Sequence, residues 1–196
     1  MRAAPAALVL LALFASVPAL GECTTTILAA NQPRTGDTIG IEAGPGVPRE
    51  VLKRAIELWQ RCPNYGLGFP AFVEGRGQAR TIRVEYHPRS RATACGRFWG
   101  NQINLYAFAA REKGRIRHCG SMTLILAHEL GHVLGLADGS GEATCREDIM
   151  SDIFEVNRYE RRVGDAECQA ASQRWLTRYE RELEAGVVVA AVRSVP

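Results

Sequence analysis

Apolar and polar residues alternate along Thr38-Ile39-Gly40-Ile41-Glu42, and that period of two predicts a first β-strand. Pro48-Arg49-Glu50 then opens a helix, with proline in its first turn and an acid close behind. Val51, Leu52, Ala55, Ile56, Leu58 and Trp59 give this helix an apolar face, and Cys62-Pro63 ends it. Residues 64 to 79 are rich in glycine and proline and read as a loop. Thr81 to Tyr86 alternates as a second strand, stopped by His87-Pro88. Thr93 to Trp99 and Ile103 to Ala107 read as two more strands, joined by a turn at Gly100-Asn101. Ser121 caps a helix whose apolar positions are Met122, Leu124, Ile125, Leu126, Leu130, Val133 and Leu134. A loop from Asp138 to Asp152 follows. Asp165 then caps a last helix with Cys168, Ala171, Trp175, Leu176, Tyr179 and Leu183 on one side. Residues 187 to 192 read as a short strand or a frayed end, and no internal repeat is visible. This order of elements predicts a layered α/β or α+β domain with one central helix.

Composition narrows the picture. A chain of 196 residues suits one domain with a full core, and 46% hydrophobic with 23% charged residues describes a folded protein. The net charge of +3 gives no reason to expect a nucleic-acid partner. Met1-Arg2, the apolar run Ala6 to Phe14 and the small residues up to Gly21 form a secretory signal peptide over residues 1–21. The run is short for a membrane span and has Pro5 and Pro18 at its ends, so a stable membrane association is not expected. Residues 22–196 are then the mature chain, secreted to the extracellular space or the periplasm. Its six cysteines, Cys23, Cys62, Cys95, Cys119, Cys145 and Cys168, suggest three disulfides. No two of them are closer than 23 residues, which excludes a zinc knuckle. Loop length alone favours the sequential pairing 23–62, 95–119 and 145–168.

The chemistry sits on the central helix. His128 and His132 lie one turn apart on one face, so both imidazoles can reach one cation. Glu129 is offset around the helix, where it can reach a water on the open side of that cation and act as general base. Gly135 can end the helix in a left-handed conformation, and Asp138 is the first ligand-capable side chain after it. A chain of this composition produces such a His-Glu-x-x-His run by chance roughly 0.7% of the time. The competing reading, a buried helix with two satisfied histidines, is therefore set aside. His87 precedes a proline and is expected to face solvent; neither it nor His118 is given a role.

The run His128-Glu129-Leu130-Gly131-His132-Val133-Leu134-Gly135-Leu136-Ala137-Asp138, followed by Asp148-Ile149-Met150-Ser151, resembles the metzincin zinc metalloproteases, HExxHxxGxxH/D with a Met-turn. The resemblance is close over residues 121 to 154 and loose over 38 to 120. It implies an α+β zincin domain over residues 22–196: a twisted, mostly parallel sheet with an antiparallel edge strand, an active-site helix and a C-terminal helix. It also implies one catalytic Zn²⁺ held by His128, His132 and Asp138, Glu129 as catalytic base, and Met150 beneath the histidines. By position the substrate-pairing edge strand is Thr93 to Phe98, and Ile153 and Phe154 approach the pocket beyond the scissile bond. Asp138 stands where most members have histidine, as in the small snapalysin-like secreted proteases. Asp152 stands where some members place an extra tyrosine ligand, so no such ligand is expected. No cysteine-switch propeptide is visible.

The resemblance thus implies a secreted zinc-dependent metalloendopeptidase acting on a protein or peptide substrate through a metal-activated water. Two rivals remain open: a zinc-dependent amidase on a non-protein substrate, and a catalytically dead, zinc-stabilised binding protein. A gluzincin, whose third ligand is a distant glutamate, is the structural rival. Gly135 and Met150 weigh against it, because both serve a ligand that follows the helix closely.

Overall fold

The computed structural model describes residues 38–63, 65, 69–77, 79–110, 114–139, 147–151, 161–172 and 175. The expected leader, Cys23, Cys145, Asp152, Ile153, Phe154 and residues 187–192 lie outside the described residues. The elements run β1 (Thr38–Ala43), α1 (Arg49–Gln60), β2 (Ala71–Glu74), β3 (Arg80–Ala92), β4 (Gly96–Trp99), β5 (Gln102–Ala110), β6 (Ile116–His118) and α2 (Met122–Leu134). Residues 165–172 form a third helical segment.

The six strands make one sheet in the order β2-β1-β3-β5-β4, with β6 also paired to β5. The pairs β1–β2, β1–β3 and β3–β5 are parallel, whereas β4 and β6 run antiparallel to β5. The architecture is α+β with a mostly parallel mixed sheet, and its antiparallel edge strand is β4. Alternation explains the layering. Ile39, Ile41, Ile82, Val84, Ile103 and Leu105 all point to one face and are fully buried there. Leu52, Ala55, Ile56 and Trp59 of α1, with Ile125, Leu126 and Leu130 of α2, join them in one core. On the opposite face the half-buried His87 bonds Asn104 Oδ1 at 2.8 Å and stacks on Tyr106.

Helix α2 is buried on nearly all sides, from Ile125 to Gly131 and at Val133 and Leu134. Two buried indoles fix it. Trp59 Nε1 donates to Ala127 O at 2.8 Å, and Trp175 Nε1 donates to Leu134 O at 3.1 Å. The second bond matters more, because Leu134 O is among the last carbonyls of the helix and has no intrahelical partner.

The structure departs from the sequence pattern in five places. The loop expected over 64 to 79 contains β2, a four-residue strand bracketed by Pro70 and Gly75. Strand β3 does not stop at His87-Pro88 but continues to Ala92, its register to β5 shifting between His87 and Arg91. Proline cannot donate to the ladder, and an irregularity there removes the need. Strand β6 was not expected. Thr93 lies in the bend before β4 rather than in the strand. Among the described residues the disulfides are Cys62–Cys168 and Cys95–Cys119. Of the sequential pairing only 95–119 is present; 23–62 and 145–168 are excluded, because Cys62 and Cys168 bond each other with Cα atoms 5.3 Å apart. Short loops are the wrong criterion here, since α1 and the last helix are brought side by side by the core they share with α2.

The Cys62–Cys168 bond closes a separation of 106 residues, and loops of that length are the most stabilising to close, at about 4–5 kcal/mol. Replacing both cysteines with alanine is expected to cost about 2–5 kcal/mol in urea unfolding. A non-reducing digest should give linked 62/168 and 95/119 peptides, and a 23/62 peptide would contradict this topology.

Candidate metal centre

Helix α2 delivers the three chemical side chains. Its N-cap Ser121 accepts a bond from Leu124 N at 3.4 Å, and its C-cap Gly135 sits at φ 87° in the left-handed region, as expected of a glycine there. That cap reverses the chain: Gly135 N donates to His132 O at 2.9 Å and Leu136 N to Gly131 O at 3.0 Å. Leu136 O then faces His132, and Asp138 arrives over both imidazoles. Gly139 N, next to Asp138, donates to Met150 O at 2.7 Å, which ties this loop to the turn at 148–151.

The ring nitrogens reveal their protonation. His128 Nδ1 lies 2.8 Å from Ile149 O, and His132 Nδ1 lies 2.9 Å from Leu136 O. A carbonyl only accepts, so in both rings Nδ1 carries the hydrogen. In the neutral form of such a ring the Nε2 lone pair points outward. Those lone pairs meet one oxygen: Asp138 Oδ1 is 3.0 Å from His128 Nε2 and 3.4 Å from His132 Nε2. The rings stand edge to face, 4.8 Å apart. Three electron pairs directed at one point repel unless a cation lies between them. A tetrahedral site with bonds of 2.0–2.1 Å has ligand atoms about 3.3–3.4 Å apart, and the two contacts to Asp138 approach that spacing. Without a metal, protons do the same work: the hydrogen bonds from His128 and His132 hold the Asp138 carboxyl well below the usual carboxylate range. Burial opposes charge on His132, but Asp138, the Leu136 carbonyl and Glu129 outweigh it and raise its pKa. The residues present thus fit a divalent ion that takes imidazole nitrogen.

His128, Glu129 and His132 each offer a ligand atom, all within 4.8 Å of one another. Glu129 differs from Asp138 in its setting. It is 3% exposed, and burial raises its carboxyl pKa against the pull of His128 and His132, while the Phe98 amide also binds it. Gly96 of β4 lies directly against it: a Cβ there would overlap the carboxylate. Asp138 instead sits on the open rim, its side chain 76% exposed.

The cleft above these groups has a volume of about 420 Å³ and is bordered by Ala94, Cys95, Gly96, Arg97 and Phe98. Phe98, an expected substrate contact, lines it, with the Arg80 guanidinium 5.5 Å from its ring centre. Thr93, a second, does not line it, and Phe154, the third, lies outside the described residues. A larger hollow of about 530 Å³ beside α1 carries Glu42, Arg49, Glu74 and Arg83. Each of these charges lies in an ion pair with another side chain. Met150 is fully buried beneath α2, where a Cβ on Gly131 would strike its Sδ.

Sequence reasoning missed Glu167. This glutamate has no exposed surface, and its carboxylate accepts from Met150 N at 2.6 Å and Gly164 N at 2.8 Å. A signal existed: Glu167, Ala171 and Trp175 share one helical stripe, so an acid stands on the face that enters the core. Burial pushes its carboxyl up to about 7, against the amides of Gly164, Met150 and Ile149. A pKa raised on folding favours the protonated form. That contribution is complete below about pH 4.5 and is lost as pH rises through about 7. Metal-free protein should therefore lose about 2 kcal/mol between pH 5 and pH 8 relative to Glu167→Gln, measured by urea denaturation. Parallel pH profiles for the two proteins would contradict the assignment.

No protein-family model and no curated protein matches this chain. What the centre does has to be judged from its own atoms.

Proposed function

We propose that the chain is a secreted zinc-dependent metalloendopeptidase of metzincin type, with His128, His132 and Asp138 as metal ligands and Glu129 as general base. The observation that carries this reading is the convergence of two imidazole lone pairs and one carboxylate oxygen beside a second, buried carboxylate. A structural site needs no such second acid, which weighs against a dead binding protein. Zinc at this point would act as a Lewis acid on the substrate carbonyl and make a water acidic enough to attack it.

The chain's own groups account for the remaining chemistry. Burial raises the proton affinity of Glu129, so it can take a proton from the attacking water and return it to the leaving nitrogen. The Phe98 amide and the absence of a side chain at Gly96 hold its carboxylate at the cleft floor. Among the described residues nothing pairs with the outer edge of β4, so an extended peptide can add to that edge as an antiparallel strand. An amide substrate suits a site that joins a Lewis acid to a proton shuttle. The Cys62–Cys168 and Cys95–Cys119 disulfides fit an oxidising compartment. Among the described residues no helix is long and apolar enough to cross a membrane.

The test is a peptide-library digest read by mass spectrometry, with and without a chelator. Wild-type protein should cleave, the chelator should stop it, and Glu129→Ala should bind zinc normally yet lose about 10²–10⁴-fold in rate. Asp138→Ala should weaken zinc binding itself. Cleavage by Glu129→Ala at the wild-type rate would remove the base from this account. A chelator-sensitive protein that cleaves only non-peptide amides would favour the amidase.

A further inference from the structure

The turn at 148–151 contains one peptide group with both of its polar ends engaged. It joins Ile149 to Met150. Its carbonyl, Ile149 O, accepts from His128 Nδ1 at 2.8 Å. Its amide, Met150 N, donates to Glu167 Oε1 at 2.6 Å. The Ile149 amide also binds this carboxylate, and Gly164 N occupies its other oxygen at 2.8 Å. A carboxylate at one end of a peptide unit and an imidazole at the other are thus joined by a single delocalised bond.

We propose that Glu167 is a positioning residue for His128, acting through the Ile149–Met150 peptide group. An anion at an amide N–H draws the hydrogen outward and pushes electron density onto the carbonyl oxygen of the same unit. Hydrogen bonds in such chains strengthen one another by roughly 10–30%. The stronger acceptor holds His128 with Nδ1 protonated and makes its Nε2 lone pair a better donor toward the Asp138 corner. Metal-bound histidines ordinarily back onto a carboxylate or a carbonyl. His128 has both, in series.

The second imidazole supplies an internal comparison. His132 Nδ1 meets Leu136 O at 2.9 Å, nearly the same length. Among the described residues no carboxylate bonds the amide of that peptide group, Ala137 N. The two rings are matched in their first hydrogen bond and differ in what stands behind it. The arrangement also explains why an acid occupies a core stripe of the last helix. Isolated, a buried carboxylate is costly; here it receives three amides and orients a turn under the site.

The test uses the full chain labelled with ¹⁵N-histidine, at pH 8 so that Glu167 is ionised, comparing wild type with Glu167→Gln. In metal-free protein the substitution should move the His128 Nδ1–H resonance upfield and leave that of His132 in place. Zn²⁺ affinity, read by chelator competition, should fall about tenfold to a hundredfold. A folded variant in which the His128 resonance does not move, or in which both histidines move alike, overturns the proposal. Zn²⁺ affinity within about twofold of wild type also overturns it. Should Glu167→Gln not fold, wild-type protein decides: a His128 Nδ1–H signal downfield of that of His132 supports the coupling, and the reverse order overturns it. The affinity measurement rests on the metal reading above, whereas the resonance measurement does not. Wild-type protein that binds no Zn²⁺ would end that reading and leave the resonances to decide the coupling.

Discussion

Each imidazole of the central helix spends its Nδ1–H on a main-chain carbonyl, and everything else follows from that. With Nδ1 committed to Ile149 O and Leu136 O, both rings turn Nε2 toward the Asp138 carboxylate, where a metal ion or a proton has to lie between them. Such an arrangement is repulsive without a cation. The fold keeps it intact by surrounding α2 on nearly every side and anchoring it with two indoles. The sheet beneath is a platform, and its antiparallel edge forms one wall of the cleft.

The supporting parts converge on the segments that present those carbonyls. The left-handed Gly135 places Leu136 O beneath His132 and brings Asp138 back over the helix. The turn at 148–151 places Ile149 O beneath His128, and Glu167 holds that turn from behind. Gly139 N bonded to Met150 O joins the two segments, so neither carbonyl is set by its own loop alone. The disulfides close the same region from outside. Cys62–Cys168 ties α1 to the helix that carries Glu167, and Cys95–Cys119 ties the bend before β4 to the residues leading into α2.

Much of this was legible in the sequence where local chemistry decides the outcome. The serine cap, the apolar period of α2, the left-handed glycine and the spacing of His128, Glu129, His132 and Asp138 are all short-range features. Strands β4 and β5 followed from a turn between two alternating runs, whereas the antiparallel edge position of β4 was implied only by the family resemblance. The misses are non-local. Four residues of β2 carry too weak a period to stand out among glycines and prolines, and only pairing with β1 makes them a strand. Strand β3 outlasts Pro88 because β5 extends far enough to pair with it again at Arg91. Disulfide partners depend on which helices share a core, which loop length does not report. The stripe Glu167 shares with Ala171 and Trp175 marks it as inward-facing, but its partner, Met150 N, lies 17 residues away and is not written in that stripe.

The most direct measurement of the central claim is anomalous diffraction at the zinc edge from crystals of the full chain grown with Zn²⁺. One strong peak within about 2.0–2.2 Å of His128 Nε2, His132 Nε2 and an Asp138 oxygen is the expected result, with Glu129 close by but not bonded to it. A peak bonded to Glu129 in place of Asp138, or no peak between the two rings, would contradict it.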